Sequence, residues 1–453
     1  MEFIGYWWVS NYNELTGTLR KVEDDFILEL LGSFDDDLGF DLKKYECIHG
    51  FTKCGKTISL LNCFCTGTEC NMPGIPYTMY QPSHVIIGDK HYDTLEDINI
   101  KSWELNFDYL DAWIDKSKVT MKTDKEHRTM TLDTETLKCI NHKLINFDLD
   151  IIFSNNTKMN SIFTEFSWKQ SSKLKITFNN DISYKDALIY IYDLEDFLSF
   201  NIGQPVQCRE ISGTDIDGNR IMVIQPNTTK PLKTMQRADA SKSLILYADI
   251  EDIFTEVYNK WISYREKLKP IISKMLLSEK EGKYYDIQLH FMNIIMSLET
   301  FSRRFMNNHK MDNTKHETMI KTIISSITNE EYKEWLSYKL NYSNEPTLNN
   351  RLKEVFDRTA SLIKISNKKR NSLIYKTVNT RNYYTHFGED KKIEEMFTTV
   401  ESFYVYNYYK LCLKLLILDE LGIKMENLIN NPNKKWVKDF QWINEFKKQF
   451  DIK

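Results

Sequence analysis

The segment RNYYTH at residues 381–386 contains the side-chain types that cleave a phosphodiester. The guanidinium of Arg381 can fork onto a phosphate, and the imidazole of His386 can carry a proton near neutral pH. In RNA cleavage, the imidazole would take a proton from the 2′-hydroxyl or give one to the 5′-oxygen. The guanidinium would stabilise the charge on the phosphate oxygens in the transition state. The segment is therefore a candidate site of RNA cleavage.

A helix is expected to carry this segment and to end at Gly388, with His386 in its last turn, where the helix dipole favours an imidazolium. Residues five apart on a regular helix point about 140° apart and lie about 7.5 Å apart along the axis. Arg381 and His386 can thus meet at one atom only if the helix is irregular or if two chains meet across a dimer axis. The alternative is an ordinary surface ion pair followed by a helix-end residue.

A second segment, GFTKCGKT at residues 50–57, matches the phosphate-binding pattern GxxxxGK[ST] and makes Lys56 and Thr57 candidate nucleotide ligands. Such a loop must leave a strand and open a helix. The following residues, 58–70, contain β-branched and aromatic side chains and reach Gly67 quickly. They favour the second strand of a hairpin whose turn spans residues 53–56, so nucleotide binding here is the disfavoured interpretation.

Five of the eight cysteines cluster near His49 and raise the alternative of a zinc site; they are Cys47, Cys54, Cys63, Cys65 and Cys70. Their spacings contain no paired Cys-x2-Cys knuckle. Cysteine is also an ordinary small apolar residue in strands. We therefore expect no metal and no other cofactor.

Composition indicates a globular protein of two or three domains, with 453 residues, 42% hydrophobic and 27% charged side chains. No apolar run is long enough for a membrane span, and the N-terminus lacks the features of a secretory signal, so we expect a cytoplasmic protein without membrane contact. Residues 1–260 carry a net charge of −13 and residues 261–453 a net charge of +9, which together give the net −4. This asymmetry favours RNA contact in the C-terminal half. The candidate RNA-binding cations are Lys368, Lys369, Arg370, Arg303 and Arg304.

The pattern of elements predicts an α+β multidomain fold, with a β-rich, sandwich-like or barrel-like region over residues 1–250 and an all-α bundle over residues 251–453. In the first region, short apolar runs between turn residues predict strands, including residues 186–194 and 243–249; a sub-boundary is expected near residues 116–125. In the second, six or seven helices are expected, with a break near Pro270 and a long helix over residues 391–421. Apolar residues spaced 4, 3, 4, 3, 4 predict the clearest helix. They are Ile287, Phe291, Ile294, Leu298, Phe301 and Phe305.

The C-terminal region resembles the HEPN ribonuclease domains, whose motif is Arg, four to six residues, then His, often with a polar residue after the Arg. Arg381, Asn382 and His386 fit this motif, and the helix around Glu299 resembles the HEPN core helix. The resemblance implies that Arg381 and His386 are the catalytic pair and that Asn382 is a positioning residue. Glu299 is a possible accessory acid, with an exposed flank position as its alternative.

The N-terminal region resembles ApeA-type anti-phage HEPN proteins. The similarity lies in GYWW at 5–8, GTL at 17–19, LELLGSF at 28–34, residues 48–61, residues 103–114 and residues 184–206, in that order. It implies an abortive-infection ribonuclease that acts without metal, as a homodimer, and leaves 2′,3′-cyclic phosphate ends. The N-terminal half would sense a phage-derived trigger. A non-catalytic module that binds RNA or a nucleotide is the alternative function, and a P-loop NTPase that uses residues 50–57 is the disfavoured third.

Overall fold

The computed structural model describes the chain apart from residues 11, 35–42, 70–72, 125, 127–128, 163, 226–229, 236–239, 281–285, 307–308, 341, 387–392, 435–436 and 453. Two compact units are present. One contains residues 1–199, 206–240 and 245–255, and the other contains residues 200–205, 241–244 and 256–453.

The first unit is built mainly of strands, as predicted. The strands are β1 (Glu2–Trp8), β2 (Leu15–Val22), β3 (Asp25–Leu31), β4 (Lys44–Thr52), β5 (Thr57–Glu69), β6 (Tyr77–Gln81), β7 (His84–Gly88), β8 (Asn99–Phe107), β9 (Val119–Asp124), β10 (Thr129–Thr134), β11 (Ile140–Lys143), β12 (Phe147–Met159), β13 (Phe166–Ser183), β14 (Cys208–Asp215) and β15 (Arg220–Ile224). In the described part of this unit they are accompanied by the helices α1 (Leu110–Ile114), α2 (Tyr184–Ile202) and α3 (Tyr247–Ile250).

Six strands close into a barrel in the order β5-β4-β1-β2-β3-β6, because β6 pairs again with β5. Of the two packings that the sequence allows, the structure thus has the barrel. Trp7, Leu28 and Leu60 are fully buried in its core. From β5 the sheet continues through β7, β15, β14, β8, β13 and β12 to β11, while β9 and β10 form a separate pair. The sub-boundary expected near residues 116–125 falls on β9.

Two strand predictions are wrong. Residues 186–194 belong to α2, where Ala187, Ile191, Leu194 and Leu198 are buried at helical spacing. Ser183 accepts a hydrogen bond from the Asp186 backbone N–H at 3.2 Å, which starts this helix. Residues 243–249 form a loop and the beginning of α3.

The second unit is helical, as predicted. The helices are α4 (Phe254–Ser263), α5 (Arg265–Lys280), α6 (Ile287–Phe305), α7 (Asn313–Ser325), α8 (Glu330–Leu340), α9 (Leu348–Arg358), α10 (Asn367–His386), α11 (Thr399–Glu420), α12 (Met425–Ile429) and α13 (Lys438–Gln449). The described residues of this unit thus form ten helices where six or seven are expected, and the excess includes α12 and α13, which follow the last one predicted. Helix α6 has the predicted bounds and buries Phe291, Ile294 and Leu298.

Helix α11 begins at Thr399, later than the predicted start at residue 391. The hydroxyl of Thr398 accepts a hydrogen bond from the Glu401 N–H, and the Glu401 carboxylate accepts one from the Thr398 N–H. This reciprocal cap fixes the first turn. Ile393 lies before it, in a 3-10 turn at Ile393–Glu395.

The helix break expected near Pro270 lies instead at Tyr264, between α4 and α5, and α5 continues through the proline. Proline lacks the N–H that would bond to the carbonyl of Glu266. The Arg304 guanidinium supplies that hydrogen bond, since its Nη1 donates to the carbonyls of Glu266 at 2.6 Å and Lys267 at 2.9 Å. Arg304 therefore stabilises the helix that contains the proline.

Candidate functional site

Helix α10 carries the RNYYTH segment and is held in place by two threonines. Thr377 Oγ1 lies 3.0 Å from the Tyr409 hydroxyl of α11, and Thr380 Oγ1 accepts a hydrogen bond from the Phe397 N–H at 2.9 Å. Both threonines are buried, together with Leu373 and Ile374. The buried face of α10 therefore lies against the rest of the bundle, and Arg381 lies beside that face, four residues after Thr377.

Arg381 lies within reach of Glu299 on α6. Its Nη2 is 3.8 Å from Glu299 Oε2, and its Nη1 donates to Asn382 Oδ1 at 3.3 Å. Its side chain is 28% exposed, and its Nε is buried without a hydrogen-bond partner among the described residues. A partly exposed guanidinium whose nearest carboxylate is 3.8 Å away keeps the capacity to bind a further anion through its Nη atoms.

Glu299 is the first acid in a chain of charged side chains that continues away from Arg381. Its Oε1 is 3.4 Å from Arg303 Nη2. Arg303 lies 2.8 Å from Glu345, and Glu345 lies 3.2 Å from Arg351. Three arginines and two glutamates alternate in this chain, and Glu354 adds a third negative charge that acts on Arg351.

Sequence reasoning missed Glu345 and Arg351, which complete this chain. Arg351 is almost fully buried and also donates to Ser302 Oγ at 3.2 Å. Burial lowers the pKa of its guanidinium, and the charge of Arg303 lowers it further. The sequence contains no signal for this role, because Arg351 lies in a polar stretch that looks like an exposed helix face.

His386 is the last residue of α10, and its side chain is exposed. The helix is continuous from Asn367 to His386, so the local irregularity that would bring the two side chains together in one chain is absent from this described helix. Arg381 and His386 therefore point about 140° apart. The expected end of the helix at Gly388 lies outside the described residues. Asn382 is one turn before His386 and shares its side of the helix.

The structure separates three of the five proposed RNA-binding cations from His386. Lys368, Lys369 and Arg370 lie in the first turn of α10, about 25 Å from His386 along the helix axis. Arg370 forms an ion pair with Asp357 on α9. Arg303, in contrast, belongs to the charged chain that begins at Arg381, and Arg304 contacts backbone carbonyls.

Because the Arg304 guanidinium already has two acceptors, we expect Arg304→Ala to affect the stability of the helical unit and to leave RNA binding unchanged. Loss of the donor to the Glu266 carbonyl, which Pro270 leaves without its helical N–H, should lower the free energy of unfolding of the helical unit by about 1 kcal/mol. Urea denaturation, monitored through the helix content, measures the change in stability. A salt titration of RNA binding measures any change in RNA affinity. Weaker RNA binding with unchanged stability would contradict this role.

The GFTKCGKT segment forms a hairpin turn between β4 and β5, as predicted, so the element directly after it is a strand and not a helix. Gly50 is needed for packing, because a Cβ there would lie 2.3 Å from the Trp7 indole. Gly55 has a φ of +73° at the turn. Thr57 Oγ1 donates to the Gly88 carbonyl at 2.5 Å. The two glycines and Thr57 thus have structural roles, and Lys56 lies exposed at the turn.

The strand-rich first unit and the helical second unit match two family models. The model of the ApeA N-terminal domain 1 matches residues 2–261, and that of the Apea-like HEPN domain matches residues 292–427. HEPN domains are generally ribonucleases and often dimerise. No curated protein and no solved structure matches the chain.

The first match covers more than half of the chain, and the chain therefore belongs to the ApeA family of anti-phage HEPN-type proteins. All helices of the described part are too short or too polar to cross a membrane.

Proposed function

We propose that this protein is a metal-independent endoribonuclease of anti-phage defence that cleaves RNA with Arg381 and His386. The main support is the position of Arg381, whose Nη2 lies 3.8 Å from Glu299 and whose side chain is 28% exposed. A guanidinium in this state can bind the scissile phosphate without first breaking a strong ion pair. His386, at the exposed end of the same helix, can reach a substrate from solvent.

In the proposed reaction, the imidazole of one His386 takes the proton of the 2′-hydroxyl. The 2′-oxygen attacks phosphorus, a bond to the 5′-oxygen breaks, and a protonated imidazole gives its proton to that leaving oxygen. The products are a 2′,3′-cyclic phosphate and a 5′-hydroxyl. Arg381 stabilises the equatorial oxygens of the transition state, and Asn382, which accepts a hydrogen bond from Arg381, positions the guanidinium.

The active form in this proposal is a homodimer. A continuous α10 directs Arg381 and His386 of one chain about 140° apart. A two-fold axis near the end of α10 would place the Arg381 of one chain beside the His386 of the other. Glu299 then acts as a positioning residue for Arg381. Its side chain is only 22% exposed, and its carboxylate interacts with both Arg303 and Arg381.

The N-terminal unit restrains this activity in the cytoplasm until a phage-derived trigger binds to it, and the released ribonuclease causes abortive infection. A binding module without catalysis would retain RNA and release no product.

Product chemistry tests the proposed function. The purified full chain should release RNA fragments with 2′,3′-cyclic phosphate and 5′-hydroxyl ends, and it should do so in excess chelator, because no step uses a metal ion. Sequencing of RNA ends that carry a cyclic phosphate, in cells expressing the protein during phage infection, checks the same chemistry at natural sites. Binding without cleavage under both conditions would favour the non-catalytic module, and 3′-hydroxyl ends would contradict the mechanism.

A further inference from the structure

The outer face of barrel strand β4 carries two metal-ligating side chains. Cys47 and His49 are two residues apart, so both point to the same side of the strand. Ile48, between them, points into the barrel core. His49 is almost fully buried and Cys47 is half-buried, although both face outward from the barrel. Another segment of the chain must therefore cover them.

The covering segment is residues 89–98, between β7 and β8, and it brings a carboxylate to the pair. Asp93 Oδ1 lies 2.8 Å from His49 Nε2, and Cys47 Sγ lies 3.8 Å from the same nitrogen. The sulfur, nitrogen and oxygen atoms all lie within 4.8 Å of one another. In a tetrahedral zinc site, sulfur and nitrogen ligands are roughly 3.5 Å apart, as bond lengths of about 2.3 and 2.0 Å require.

Tyr92 fixes the position of this carboxylate. Its N–H donates to Ser59 Oγ at 2.9 Å, its hydroxyl donates to Asp215 Oδ2 at 3.0 Å, and its carbonyl accepts from Cys47 Sγ at 3.5 Å. Its side chain is buried. Asp93 is the next residue, so the backbone that carries it is held in place before any ligand binds. The Asp93 side chain itself is 77% exposed, which gives a cation access from solvent.

The hydrogen bonds of His49 permit a metal-binding tautomer. His49 Nδ1 lies 3.4 Å from Ser59 Oγ. When Nδ1–H donates to this hydroxyl, Nε2 presents a lone pair toward Asp93, while Cys47 Sγ lies 3.6 Å from Nδ1 and 3.8 Å from Nε2. A neutral ring in this state faces a carboxylate with no proton between them, and a cation at that point removes the repulsion. Such a second partner on the distal nitrogen is the usual arrangement for a metal-bound histidine.

A second histidine lies beside these groups. The rings of His91 and His49 are 4.6 Å apart, and His91 is two residues before Asp93. Its Nδ1 is buried and has no hydrogen-bond partner among the described residues. The nitrogens of His91 lie outside the cluster of the other three ligand atoms, but a buried, unpaired nitrogen on a ring packed against His49 makes His91 the residue from which a fourth ligand can come.

We propose that Cys47, His49 and Asp93 bind a divalent transition-metal ion of the zinc class, with His91 supplying the fourth ligand. Thiolate, imidazole and carboxylate together select zinc over magnesium or calcium. Binding displaces the Cys47 thiol proton to solvent as the sulfur–metal bond forms. The ion fastens residues 89–98 to β4 in the N-terminal unit and takes no part in RNA cleavage.

This site differs from the cysteine cluster considered from the sequence. Cys63 is buried and donates to the Leu60 carbonyl at 3.3 Å, and Cys54 lies exposed in the hairpin turn. Cys70 lies outside the described residues. The sequence does not indicate this set of four ligands, because His91 and Asp93 follow the Cys47–His49 pair by more than 40 residues.

The test uses the full chain, stripped of metal by a chelator and dialysed against Zn²⁺ or Co²⁺. We expect one Zn²⁺ per chain by elemental analysis and, with Co²⁺, a thiolate-to-cobalt charge-transfer band beside tetrahedral d–d bands. Cys47→Ser should lose the charge-transfer band. Asp93→Asn, a change at an exposed side chain, should weaken metal affinity at least about tenfold.

Two matched controls distinguish ligands from neighbours. Cys65→Ser changes another half-buried cysteine of the barrel, and Asp97→Asn changes another acid of the covering segment; both should bind Co²⁺ as the wild type does. Circular dichroism establishes that each variant is folded. Absence of metal binding by the folded wild type would overturn the proposal. So would an unchanged charge-transfer band in Cys47→Ser, or an equal loss of affinity in the two controls.

Discussion

His386→Ala should reduce RNA cleavage at least about 100-fold, because a positioned acid–base group contributes about 10²- to 10⁴-fold to such reactions. The protein should remain folded, since His386 is exposed at the end of α10 and contributes nothing to the buried face of that helix. RNA affinity should change little, because most of the binding energy comes from contacts to phosphates. Single-turnover cleavage of a labelled RNA, with binding measured separately, checks these effects.

The matched control for this variant is His309→Ala. His309 is also exposed in the helical unit, and the proposed mechanism gives it no role. Its replacement should leave cleavage and toxicity to expressing cells unchanged. Cleavage by His386→Ala at the wild-type rate would remove this histidine from the mechanism, and an equal loss in His309→Ala would show that the assay responds to surface charge.

Arg381→Ala should reduce cleavage by about 10²- to 10³-fold, the usual cost of losing one donor to transition-state charge. Arg381→Lys should recover little of this activity, because an ammonium keeps the charge and loses the planar fork that matches two phosphate oxygens. The helical unit should remain folded, since Arg381 has one ion pair at 3.8 Å and one hydrogen bond to its neighbour Asn382.

Arg370→Ala is the control for Arg381. Arg370 lies on the same helix, is also partly exposed and also has one acidic partner, Asp357. Because it lies in the first turn of α10, far from His386, its loss should reduce RNA affinity modestly and leave the rate of the bound complex unchanged. Equal rate losses in Arg370→Ala and Arg381→Ala would indicate that both act only through general charge.

Regular apolar spacing made part of the fold predictable. The spacing of apolar residues along α6 predicts both ends of that helix, and Phe291, Ile294 and Leu298 are buried as expected. The same criterion failed for residues 186–194, where consecutive apolar and aromatic residues fit a strand and a helix equally well. The local signal for a helix start was Ser183 followed three residues later by Asp186, which the structure joins by a hydrogen bond. Packing against the sheet also favours the helix, and a short segment of sequence contains no information about that packing.

The site was predictable only where its residues are close in sequence. Arg381, Asn382 and His386 lie within one segment, so their chemistry can be inferred before their positions are known. The partners of Arg303 and Arg304 come from tertiary packing: Glu345 for the first, and the Glu266 carbonyl freed by Pro270, with that of Lys267, for the second. Sequence reasoning therefore assigned both arginines to RNA from their charge alone.

Subunit mixing tests the central claim most directly, because it asks whether Arg381 of one chain acts with His386 of the other. Purified Arg381→Ala and His386→Ala, each inactive alone and carrying different tags, are mixed and allowed to exchange, and the dimers with both tags are isolated. Each mixed dimer has one site with an intact Arg381 and an intact His386. We predict that these dimers regain about half of the wild-type activity per dimer. Mixed dimers that form and stay inactive would contradict the account.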